Sequence, residues 1–187
     1  MPNWCSNQVT LTNSDTNQIK RVKKAIKEDR LFEEFIPCPK EMIEDGSWYT
    51  HNINAWGTKW DVTGGDVVKK SKHSITLVFD TAWSPPLNFY EFLYDNEWGV
   101  EAHYYESGMN FVGRWFNGDD EYYEIPASGD EIVEMIPEDI DMLWGLSERA
   151  YEEDELEEED SDSIEGIAED FDNYLKELDD INSKDKP

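Results

Sequence analysis

Indole rings set beside a lysine and an aspartate give this chain its clearest capacity for binding chemistry. The string Trp56-Gly57-Thr58-Lys59-Trp60-Asp61 brings two such rings together, and Trp4, Asn7, Trp83 and His103 add further rings and polar groups at the ends of expected strands. Rings of this kind stack a base or nucleotide while polar neighbours hydrogen-bond its edge. The same residues also suit a plainer role, in which the tryptophans fill a core and Lys59 and Asp61 pair on the surface. Sequence alone leaves both readings open. Trp4, Asn7, Trp56, Lys59, Trp60, Asp61, Trp83 and His103 are therefore the candidate ligand pocket.

Other chemistry finds little support. There is no phosphate-cradling glycine loop, no H-E-x-x-H and no G-x-S-x-G, so neither a metalloprotease site nor an activated serine is expected. His51, His73 and His103 are dispersed and share no ligand spacing. Cys5 and Cys38 form no C-x-x-C and are read as reduced, buried thiols. Asp160-Ser161-Asp162 resembles a calcium loop only superficially, because Ile164 stands where an oxygen ligand is needed and Gly166 comes one position late. No metal, no cofactor and no catalytic residue is expected.

The strongest signal is electrostatic. Of 44 acidic residues, 26 fall in residues 121–187 beside only 4 of the 16 Lys and Arg, a local net charge of −22 within a chain of −28. Residues 1–120 are nearly balanced at −6. A polyanion repels nucleic acid and membrane phosphates and attracts basic surfaces, so the expected partner is a protein with a basic face. Residues 151–162 hold nine acids: Glu152, Glu153, Asp154, Glu155, Glu157, Glu158, Glu159, Asp160 and Asp162. If helical, this block is about 18 Å long with a charge every ~2 Å, near the ~1.7 Å spacing of duplex phosphates. That match suggests a DNA mimic; a self-repelling linker is the alternative.

The elements that must carry these residues follow from periodicity. Asn7 to Thr12 alternates as a half-buried strand, Asn13, Ser14 and Asp15 offer a cap, and Ile19, Val22, Ala25 and Ile26 mark a helix to about Asp29. That helix also carries Lys20, Arg21, Lys23, Lys24, Lys27 and Arg30, a basic stripe that either docks the acidic tail, solvates the fold or meets phosphate. Residues 31–53 read as an irregular connection broken by Pro37, Pro39 and Gly46. Ser74 to Phe79 is the clearest strand. A second helix is expected with Ser84 as cap, Leu87, Tyr90, Leu93 and Tyr94 as stripe and Gly99 as its end. Strands at 100–106, 110–116 and 121–125 follow, joined by Ser107-Gly108 and Asn117-Gly118. The order predicts an α+β, ferredoxin-like sandwich, an antiparallel sheet with two helices on one face, over residues 1–125.

Residues 126–187 form an acidic, mainly helical C-terminal region by the same reading. Ser128 and Glu131 suggest a capping box, Pro137 opens a short helix with Ile140, Leu143 and Trp144, and a stripe from Ile164 to Ile181 includes Phe171 and Leu175 as apolar anchors. No basic-then-apolar leader and no 18-residue apolar run occurs, so a cytoplasmic location is expected.

Three ordered strings carry a family resemblance: Met1-Pro2-Asn3-Trp4-Cys5-Ser6-Asn7, Trp56-Gly57-Thr58-Lys59-Trp60-Asp61 and Thr81-Ala82-Trp83-Ser84-Pro85-Pro86, followed by a hairpin with Phe111-Val112-Gly113. Over about residues 1–118 the chain resembles the YubB-type ferredoxin-like family of bacteriophages and conjugative plasmids. The resemblance implies the fold and a mobile-element origin, and it implies no reaction. Together with the charge, it leads to the expectation of a non-enzymatic inhibitor of a host defence or DNA-processing protein. That inhibitor would act through Glu152 to Asp162, with Phe171 and Leu175 as anchors. The alternative is a protein that sequesters a nucleotide in the Trp-rich motifs.

Overall fold

A computed structural model describes residues 2–156, and these separate into two compact units, one ending at Ile125 and the other beginning at Pro126. The first unit is α+β. Its strands are β1 (Trp4–Thr12), β2 (Asp66–Lys70), β3 (Ser74–Ala82), β4 (Gly99–Glu106), β5 (Phe111–Phe116) and β6 (Asp119–Glu124). They form one six-stranded sheet in the order β2-β3-β1-β4-β5-β6, with every neighbouring pair antiparallel. Its helices are α1 (Thr16–Lys27), α2 (Leu31–Phe35), α3 (Lys40–Glu44), α4 (Trp48–Trp56) and α5 (Leu87–Asp95).

Strand alternation decides which face is buried. Cys5, Asn7, Val9 and Leu11 of β1 are buried with Ile75, Leu77 and Phe79 of β3 and Val100, Ala102 and Tyr104 of β4. Ile19, Val22, Ala25 and Ile26 of α1 and Phe89, Tyr90 and Leu93 of α5 join most of these strand residues in one core, so both helices lie on the same face. Phe32 of α2 sits at its centre, with ring centroids 4.7 Å from Phe89, 5.6 Å from Trp56 and 6.0 Å from Phe79. Each such aromatic pair adds about 0.5–1.5 kcal/mol beyond simple burial. On the opposite face of β1 and β3, Thr10 bonds Thr76 across the strands and Ser6 bonds Asp80.

Several local expectations need correction. Residues 31–53 hold three short helices in place of an irregular connection, because the breakers fall between helices: Pro39 caps α3, and Gly46, at φ +83°, separates α3 from α4. Ser84 does not cap α5; Pro86 occupies that position, and the Ser84 hydroxyl donates to the Gly57 carbonyl instead. Tyr94 is exposed, and Gly99 opens β4, the turn after α5 being made at Glu97 with φ +65°. Strand β2 lies at the sheet margin, where Val67 is half-buried against the core and its other residues are exposed, and Val68 forms a bulge where its register against β3 shifts. Cys5 is buried, whereas Cys38 is only half-buried.

The second unit contains α6 (Gly129–Met135), α7 (Glu138–Trp144) and a helical run over 146–156. Ser128 stands at the N-cap of α6 without a side-chain bond, so the expected capping box does not close. Pro137 caps α7, and Gly145 ends it in the left-handed region at φ +59°. Asp141 accepts bonds from the Ser147 amide and hydroxyl. Tyr151 lies against Gly129, where any Cβ would come 2.5 Å from the ring, and its hydroxyl donates to Asp130. No helix among the described residues is long and apolar enough to cross a membrane.

Candidate functional site

The three Trp-containing motifs of the first unit meet in space, and a buried hydrogen-bond network holds them together. Asn7 is 2 % exposed; its side-chain amide donates to the Cys5 carbonyl at 2.8 Å and to the Thr81 hydroxyl at 2.9 Å, while it accepts from the Tyr90 hydroxyl at 3.0 Å. Thr81 in turn donates to the Ser84 carbonyl, Ser84 to the Gly57 carbonyl, and Thr58 to the Ala82 carbonyl. Residues 57–58 are thereby laced to residues 81–84. Gly57 ends α4 at φ +86°, and a Cβ there would stand 3.1 Å from the Leu87 amide, so glycine is required twice over.

The lacing projects an aromatic file outward. Trp60 stacks on Trp83 with centroids 6.0 Å apart and planes 28° from parallel, and Trp4 stands 6.2 Å from Trp60 on its other flank. These rings are exposed by 50 % at Trp4 and 38 % at both Trp60 and Trp83. Trp83 adopts φ +66°, a left-handed conformation that costs a non-glycine residue about 1–2 kcal/mol. Its amide is fixed by a bond to the Asn3 carbonyl. Strain maintained for an exposed aromatic side chain is the kind of outlier that points to function.

The Lys59 ammonium lies 4.4 Å from the Trp60 ring centre, 5.3 Å from that of Trp83 and 5.8 Å from that of Tyr49. No carboxylate among the described residues pairs with it. Beside Trp4 and Trp60 an open cavity of about 430 Å³ is lined by those two rings with Asp61, Thr63 and Asp80. Asp61 accepts the amides of Phe32 and Glu33 at the start of α2 and that of Val62. Burial pushes its carboxyl above the usual aspartate range, and the three amides oppose that shift. Asp80 is exposed and accepts from Ser6 through one oxygen, Oδ1; its Oδ2 has no hydrogen-bond partner among the described residues.

Of the eight expected pocket residues, Trp4, Lys59, Trp60, Asp61 and Trp83 come together. Asn7 and Trp56 do not belong to the surface. Asn7 is the hub of the buried network, and Trp56 is 3 % exposed, donating through its indole N–H to the Ile36 carbonyl. His103 lies across from Gln8 on β1, four residues and about 13 Å along the strand from Trp4, too far to join the file. The surface pairing of Lys59 with Asp61 that the plainer reading offered is replaced by a cation on rings and a helix cap. Tyr49, Thr63 and Asp80 were not legible as partners, since only the register Ser6↔Asp80 brings Asp80 beside Trp4.

The acidic block is only partly described. Glu152, Glu153, Asp154 and Glu155 are exposed on the helical run 146–156. Glu157, Glu158, Glu159, Asp160, Asp162, Phe171 and Leu175 lie outside the described residues. The basic stripe is partly neutralised locally, with Arg21 and Arg30 both paired to Glu34 and Lys24 near Glu28. Among the described residues no three His, Cys, Asp or Glu side chains are grouped to hold a metal ion. No protein-family model, curated protein or solved structure matches the chain.

Proposed function

We propose that this chain is a non-enzymatic binding protein of a bacteriophage or conjugative plasmid, acting in the host cytoplasm by occupying a basic protein surface. The first unit would be ferredoxin-like: helices follow β1 and β3 on one face, and the order β2-β3-β1-β4 is that of a split βαβ sandwich extended by the β5–β6 hairpin. The observation that carries the binding reading is the exposed file Trp4–Trp60–Trp83, held out by a strained backbone in a chain of net charge −28. Tryptophan dominates protein interfaces energetically, and long-range charge selects a basic partner. A host protein with such a surface ordinarily meets nucleic-acid phosphate, so a polyanion occupying it would inhibit defence or DNA processing.

Replacing Glu152, Glu153, Glu155, Glu157, Glu158 and Glu159 with Gln tests this directly. Wild-type protein should capture a basic host protein at low salt, release it at high salt, and compete with duplex DNA for it; the Gln variant should associate far more slowly. Capture unaffected by the six substitutions, or a partner that binds DNA and this protein at once, overturns the reading. One observation favours a second function, nucleotide sequestration: the Lys59 ammonium against three rings suits an anionic planar ligand.

A further inference from the structure

We infer that the cavity beside Trp4 and Trp60, edged by Asp61 and Asp80, is the docking point for an arginine side chain of the basic partner. The inference rests on the preceding reading that the partner is a basic protein, and it names the contact the folded domain makes. Two exposed indoles supply faces with negative electrostatic potential, the best of the aromatic surfaces for a cation. Asp80 supplies an open carboxylate oxygen at the rim. Asp61 supplies a partly buried carboxylate whose Oδ2 accepts a single amide, from Glu33, and so retains acceptor capacity.

Aromatic walls with carboxylates at the edge select among ligands. Phosphate would meet two negative charges at close range, so a nucleotide is disfavoured on this side of Trp60. Lys59 already shows that a cation rests on the Trp60 ring, and neither it nor Trp83 lines the cavity. A lysine from the partner would satisfy the charge requirement as a point. A guanidinium does more, because it is planar, stacks on an indole and forks two N–H groups to a carboxylate.

The test uses the full-length protein and three probes: a blocked peptide alternating Arg with Gly, the same peptide with Lys, and adenosine monophosphate. Binding is followed through the indole N–H resonances and by titration. The arginine peptide should shift the Trp4 and Trp60 indoles and bind several-fold more tightly than the lysine peptide. Trp60→Ala should weaken it by about tenfold, and Asp80→Asn, which keeps the shape, should weaken it severalfold while thermal unfolding stays unchanged. The six-Gln variant should still show the same indole shifts.

Three outcomes overturn the inference. If the arginine peptide binds only through the acidic block, leaving the indoles unmoved and failing in the six-Gln variant, the basic-partner reading stands and this docking point falls. If adenosine monophosphate moves the same indoles and the peptide does not, the cavity serves nucleotide. If neither peptide binds even at low salt, both readings fail together.

Discussion

Asn7 shows how one buried side chain can hold a site it never touches. Its amide and carbonyl satisfy Cys5, Thr81 and Tyr90 at once, so truncating it strands the buried Tyr90 hydroxyl and leaves the Cys5 carbonyl only the longer bond from Thr81. Asn7→Ala should cost about 2–3 kcal/mol in urea unfolding, and Tyr90→Phe added to it should cost little more, because the two changes share one interaction. Cys5 beside it carries a pH signature. Burial pushes its thiol up to about 12, so the folded chain keeps a proton that the unfolded chain releases above about pH 8.5. Stability should fall as pH climbs from about 8.5 towards 12, and Cys5→Ala should flatten that slope. In native protein a thiol reagent should reach Cys38 first.

At the scale of elements, the turn after α4 is what brings the motifs at 56–61 and 81–86 into register. Gly57→Ala places a Cβ against the backbone of α5 in a left-handed conformation, a loss of about 1–2 kcal/mol. The coupled Trp60–Trp83 signal in near-ultraviolet circular dichroism should diminish with it. Much of the architecture was legible beforehand because burial enforces period: Val9 and Leu11, Ile19 to Ile26 and Ile75 to Phe79 each announce their element through alternation or a helical stripe. Strand β2 was not legible, since an element with a single half-buried residue carries no alternation. The short helix α2 was missed because part of its order comes from elsewhere in the chain, Asp61 accepting the amides of Phe32 and Glu33 from 29 and 28 residues away. For the same reason sequence grouped Trp56 with Trp60. Only the αL turn at Gly57 separates an indole for the core from one for the surface.

Across the whole molecule, charge and aromatic surface are assigned to different stretches of chain. The first unit holds the indole file, and the acids are concentrated beyond Ile125. A fragment of residues 1–125 should therefore unfold cooperatively by itself, since α1 and α5 close their core against strands of the same unit. A broad, non-cooperative melt would place essential packing in the remainder.

The bulge at Val68 bears on whether the sheet can polymerise. The outermost strands of the sheet are β2, which carries Asp66, Lys69 and Lys70, and β6, which carries Asp119, Asp120, Glu121 and Glu124. Opposite charges on the two margins would draw copies into an open, head-to-tail series, the arrangement that grows into fibres. One surplus residue at the basic margin interrupts the ladder a neighbouring strand would need. Deleting Val68 should restore an unbroken edge, and at a salt concentration that screens the net charge of −28 light scattering should then rise with protein concentration where the wild type stays clear. The misregister would thus add to the repulsion of a net charge of −28 as a guard against edge-to-edge self-assembly.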